Sequence, residues 1–188
     1  VGVLPGSSRA DEAVLYMAHW DHLGKHEGEE GTDTIYNGAV DNATGVAAVI
    51  ELARVFAAGP RPQRTLLFMA LTAEEKGLQG ATFYAANPLV PLAKTAAVLN
   101  IEMLSPDGPT RDIASWGKGR VSLENDLKRV AEAHGRTYSP DPNLEAGFFY
   151  RADHFAFARA GVPAITVGAG LDRIDGGVAS GKALRDAY

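Results

Sequence analysis

Apolar positions along this chain fall into two textures, short unbroken runs and longer stretches with helical spacing. Ala13-Val14-Leu15-Tyr16-Met17-Ala18 is an unbroken run with Asp11-Glu12 before it and His19-Trp20-Asp21-His22 after it. That pattern predicts a strand covered on both faces. Arg64 to Leu71 and Thr95 to Met103 are two further runs of this kind. Val1 to Leu4 and Pro163 to Val167 predict shorter strands, and Arg111 to Trp116 an edge-type strand.

Helical spacing appears between them. Val46, Val49, Ile50, Ala53, Val55 and Phe56 predict a helix from Gly45 to Ala57, with Asn42 and Thr44 as candidate caps and Gly59-Pro60 as the stop. Leu78 to Ala86 predicts a short helix closed by Asn87-Pro88. Ser122 is placed to cap a helix running through Ala133, with Leu123, Leu127, Val130 and Ala131 on one face and Gly135 past its end. Asp153 to Ala160 predicts another short helix, stopped by Gly161. Residues 24 to 38, rich in glycine and acids, have no apolar period and read as a long loop. Ser105-Pro106-Asp107-Gly108 reads as a turn.

Strands alternating with helices predict an α/β fold, a mixed, mostly parallel central sheet sandwiched between helices in three layers. At 188 residues, 46% of them apolar, the chain suits one domain spanning 1–188. Sheets of this kind bind ligands beyond the carboxyl ends of their strands. The polar residues gather at those ends: His19, Glu74, Glu75 and Glu102 each follow a strand, and Asp41 precedes a helix.

A net charge of −5 with no run of Lys or Arg excludes a clustered basic surface, and with it nucleic acid or an anionic membrane as the expected partner. No apolar run is long enough to span a bilayer. The chain contains no cysteine, so a metal would be held by His, Asp and Glu. Val1 stands inside a strand pattern with no initiator Met or signal peptide, which predicts an excised piece.

Glu74-Glu75, directly after a buried strand, is the densest chemical signal. Two adjacent carboxylates there are either solvated, as at a helix N-terminus, or bound to a cation. His19 could be a ligand or simply hydrogen-bonded, and Asp41 a ligand or a helix cap. Together with Glu102 these are nitrogen and oxygen donors suited to zinc or a related divalent ion. If Glu75 ligates, Glu74 points elsewhere and can take a proton from water. Rival chemistries lack their signatures: there is no Gly-x-Ser-x-Gly elbow, cysteine nucleophile, phosphate loop or His-Glu-x-x-His helix, and Gly168-Ala169-Gly170 falls short of a dinucleotide fingerprint.

Five blocks resemble the two-zinc aminopeptidase family, the aminopeptidase S-like zinc exopeptidases, with glutamate carboxypeptidase II and glutaminyl cyclase as distant relatives. They are Ala18-His19-Trp20-Asp21-His22, Asn37 to Gly45, Thr72 to Gly80, Leu99 to Leu104, and Ala152-Asp153-His154-Phe155 followed by Ala160 to Pro163. The resemblance implies that His19 ligates one zinc, Asp41 bridges two, Glu75 ligates one, Glu74 is the general base and Asp21 orients His19. Glu102 stands where the family usually has a ligating Asp, one methylene shorter. The family's last ligand, a His in a Tyr-His block, is expected beyond Tyr188, so the resemblance implies truncation at both termini, with His154 the remaining candidate near a recognised block. The implied activity is removal of N-terminal residues from peptides by two zinc ions, with a glutaminyl-cyclase-like acyltransferase or a catalytically impaired homologue as alternatives. By the same likeness a secreted or periplasmic location is expected.

Overall fold

The computed structural model describes residues 1–29, 31–104, 107–141 and 144–187. β1 (Gly2–Leu4) leads into β2 (Arg9–His19), which begins four residues before its apolar run. Next come β3 (Gly24–Lys25), β4 (Ile35–Tyr36), α1 (Ala43–Ala58) and β5 (Arg64–Leu71). After α2 (Gln79–Ala86), β6 (Thr95–Ile101) and β7 (Asp112–Ser115), the chain forms α3 (Leu123–Ala133) and β8 (Thr137–Ser139). It ends with α4 (His154–Arg159), β9 (Ala164–Ala169) and α5 (Gly177–Ala187).

Seven strands form one mixed sheet in the order β1-β5-β2-β6-β9-β7-β8. The central four, β5, β2, β6 and β9, run parallel, while β1 and β7 enter antiparallel to β5 and β9. This is the predicted α/β sandwich. The period of two along β2 sorts its side chains between two cores. Leu15 and Met17 meet Ala81 and Tyr84 of α2 and Ala156 and Phe157 of α4. Val14, Tyr16 and Ala18 face Val49 and Phe56 of α1. Leu15, Met17 and Phe157 are completely buried, so truncating any of them to Ala costs about 2–5 kcal/mol.

Local differences from the sequence pattern have local causes. Within residues 24–38, expected as a plain loop, β3 and β4 pair through Gly24–Tyr36 and Lys25–Ile35. Ser122 makes no capping bond; the Glu124 carboxylate instead accepts the amides of Gly119 and Arg120 at 2.9 and 3.1 Å. α5 was not predicted, because its glycines argue against a helix. Gly181 is there for packing: a Cβ would stand 2.1 Å from the Leu171 carbonyl oxygen. The turn expected at 105–108 lies partly outside the described residues.

Candidate metal centre

His19 is the last residue of the central strand β2 and is 1% exposed. Its Nδ1 lies 2.7 Å from the main-chain carbonyl of Asp21, an acceptor only, so Nδ1 carries hydrogen and the ring is fixed with Nε2 facing the rim. Nε2 is 3.0 Å from Asp41 Oδ1 and 3.5 Å from Glu102 Oε2. Burial alone would lower the pKa of this imidazole, but hydrogen bonding to Asp41 and Glu102 raises it to about 11. The two carboxylates thus impose a strong demand for positive charge.

Asp21 plays a different part from the one expected of its side chain. Its carbonyl orients His19, while its carboxylate Oδ2 accepts the amide of Ala73 at 2.6 Å. That bond fixes the turn leaving β5, just before Glu74-Glu75. Ala73 (φ 57), Leu78 (φ 57) and Met103 (φ 45) are the non-glycine residues in the left-handed region among those described; Ala73 and Met103 follow the ends of β5 and β6, and Leu78 stands at the start of α2. Such backbone persists only where its surroundings hold it.

Glu102 follows β6 and is 4% exposed. Its oxygens accept the side-chain amides of Asn42, at 3.0 Å, and Asn100, at 2.9 Å. These two amides hold the longer side chain in the position described above. Asn42 also donates to the Ile101 carbonyl at 2.9 Å and accepts from the amides of Gly45, at 3.0 Å, and Met103, at 3.3 Å. It caps α1 and pins the end of β6 with one side chain. The Asp41–Asn42 peptide bond is cis.

Asp41 therefore sits between two groups of donors. His19, Asp41 and Glu102 form one; His22, Asp41 and Glu75 form the other, with ligand atoms in each within 4.8 Å of one another. His22 was not among the expected residues. The available signal was its place in the His19-Trp20-Asp21-His22 block, where the chain leaves the strand and turns back along the rim. Glu74 belongs to neither group. Burial, and then the charge of Glu102, pushes its pKa up to about 8. Glu74 and Glu75 border a cleft of about 400 Å³ lined also by Leu78, Thr82, Tyr150 and Phe155.

His154, expected as a fallback ligand, belongs to neither donor group. It is fully buried, its Nδ1 is 2.6 Å from Thr166 Oγ1, and the Phe149 ring meets it edge-on at 4.8 Å. Burial pushes its pKa down to about 3, so it is neutral. Asp153 beside it is also fully buried, and burial followed by the charge of Glu102 raises its pKa to about 7.

The donor set is imidazole nitrogen and carboxylate oxygen, which suits zinc and its first-row neighbours. Fit to a metal is supported by the two imidazole nitrogens lying close to carboxylates and by the excess of acids over bases on this rim. Among the described residues, no helix is long and apolar enough to cross a membrane.

Residues 1–188 match peptidase family M28 as a whole. A probable zinc metalloprotease of Pyrenophora tritici-repentis is 36% identical over 152 residues, covering 77% of this chain and 34% of that protein. Aminopeptidase NAALADL1 of Mus musculus is 31% identical over 167 residues, 77% of this chain and 21% of that protein. A solved zinc aminopeptidase of Bacillus subtilis, 20% identical, superimposes on 99% of this chain and 46% of its own with a TM-score of 0.67, a likeness of fold. The chain thus spans about a third or less of these curated relatives. With its sequence matched from end to end and its sheet built in the same way, the chain belongs to peptidase family M28.

Proposed function

We propose that this chain forms the zinc-binding core of an exopeptidase that removes N-terminal residues from peptides. One observation carries the reading: the two oxygens of Asp41 face two separate donor groups, Oδ1 toward His19 and Oδ2 toward the side bearing Glu75. In this reading His19, Asp41 and Glu102 would hold one zinc, and Asp41 and Glu75 would hold a second. Zinc bound there supplies Lewis acidity, polarising a peptide carbonyl and acidifying water.

Glu74 is the general base. It stands beside the donor groups without joining them, and burial raises its carboxyl above the ordinary carboxylate range, toward that of a proton acceptor working near neutral pH. It takes the proton from the attacking water and returns it to the leaving amine. Asp21 acts as a positioning residue, orienting His19 through its carbonyl and the Glu74 turn through its carboxylate. The cleft beside Glu74 and Glu75 receives the peptide. The N-terminal direction rests on relatives named as aminopeptidases.

Hydrolysis of aminoacyl-nitroanilides by the zinc-loaded protein tests the reading. Glu74→Gln should lower kcat by about 10²–10⁴, the usual worth of a positioned base. An inert zinc-loaded parent, or a variant as active as the parent, overturns it. Formation of pyroglutamate from N-terminal Gln, in place of hydrolysis, would assign the site to acyl transfer.

A further inference from the structure

We propose that His22 is a ligand of the second metal, binding through Nδ1 together with Asp41 and Glu75. The inference deepens the two-metal reading above and rests on it. His22 Nδ1 is 2.7 Å from Glu75 Oε1 and 3.9 Å from Asp41 Oδ2. Tetrahedral zinc bonded at the usual lengths separates its donor atoms by about 3.3 Å. The two distances straddle that value, so a cation enters with small side-chain movements.

The orientation separates a ligand from an ion pair. In a His–Glu ion pair the ring N–H points at the carboxylate oxygen, and at 2.7 Å it would be a strong hydrogen bond. Here the atoms are close but out of line, and Nδ1 is buried with no hydrogen-bond partner. A buried polar atom without a partner costs free energy. The nitrogen, the Glu75 oxygen and the Asp41 oxygen lie within 4.8 Å of one another, the spacing of three donors to one cation.

The surroundings hold the ring there. Tyr36 of β4 packs edge-on against it, ring centres 6.2 Å apart at 79°. The loop carrying Asp41 closes onto it at Gly38, whose φ is +67° and where a Cβ would lie 2.8 Å from both His22 Cβ and the Asp41 carbonyl oxygen. Only glycine permits that approach in that backbone conformation. The short β3–β4 pair thus acquires a purpose, as the wall that sets His22 against Asp41.

Zinc binding to the purified chain, followed by equilibrium dialysis and chelator competition, tests this without reference to activity. The parent is expected to bind two zinc ions. His22→Gln should retain one and lose affinity for the second by about 100-fold or more, above the 10–100-fold cost of removing a partner outside the ligand set. His22→Asp, which keeps a donor atom, should recover part of it. In the parent, the ¹⁵N resonance of His22 Nδ1 should move on addition of zinc, a readout independent of whether a variant folds. Two ions held by His22→Gln at parental affinity, or a His22 Nδ1 resonance unmoved by zinc, overturns the assignment. A single zinc, lost in His19→Gln but kept in His22→Gln, overturns the assignment and leaves the His19 site standing. Absence of zinc binding in the parent overturns the broader two-metal reading as well.

Discussion

The Asp21 carboxylate and the Ala73 amide are joined across the ends of β2 and β5 by a 2.6 Å hydrogen bond. Through it, the strand that delivers His19 also fixes the turn that delivers Glu74 and Glu75. Asp21→Ala removes a charge-assisted bond worth about 1.5–3 kcal/mol. Since the carbonyl that orients His19 survives the substitution, zinc at the His19 position should persist while kcat falls more than KM rises. Steady-state kinetics with metal analysis checks the split; loss of the His19-bound metal with kcat unchanged would refute it.

Asn42→Ala should be among the costliest polar substitutions in the chain. It removes a helix cap, worth about 1 kcal/mol, and strands the Ile101 carbonyl and the Met103 amide. Urea unfolding is expected to show at least about 2 kcal/mol of lost stability. Zinc affinity should fall with it, because Asn42 also holds Glu102.

His154 predicts acid sensitivity. Its pKa is about 3 in the fold and near 6.5 when unfolded, so below pH 6.5 the unfolded chain binds a proton that the folded chain refuses. Stability from this residue is therefore complete above pH 6.5 and is lost as pH falls toward 3, by up to about 1.4 kcal/mol per unit. Between pH 7 and 5 the parent should lose about 2 kcal/mol more than His154→Phe. Parallel unfolding curves for the two proteins across that range would refute the account.

Removing zinc should destabilise the fold as well as silence it. A ligand present at 100 times its Kd adds about 2.7 kcal/mol. For a chain of this size that is about 5–10 °C in Tm. Melting with zinc and after chelation measures the shift, which should shrink in Glu75→Gln because that substitution weakens a ligand and relieves repulsion among the acids.

Much of the fold was legible in the sequence because β2 and α1 carry plain signals, an unbroken apolar run from Ala13 to Ala18 and a period near 3.6 from Val46 to Phe56. The rim positions of His19, Glu74, Glu75 and Glu102 followed from their standing at the ends of apolar runs. What stayed hidden depends on turns. The approach of His22 to Asp41 requires the chain to fold back at Gly38, and the division of labour within Asp21, carbonyl to one side and carboxylate to the other, has no periodicity to announce it. α5 was hidden for a different reason: its Gly181 is selected by contact with Leu171, and local propensity points the other way.

Asn42 gives the site a thermodynamic character of its own. The same amide group bonds the first turn of α1, the exit of β6 and the carboxylate of Glu102. Fraying of the helix start and loosening of Glu102 are thus coupled, and whatever a bound cation adds to the stability of the helix start, an intact helix start adds to the binding of the cation. Amide hydrogen exchange at Gly45, whose N–H donates to Asn42 Oδ1 and which lies outside the ligand set, should slow when zinc is added.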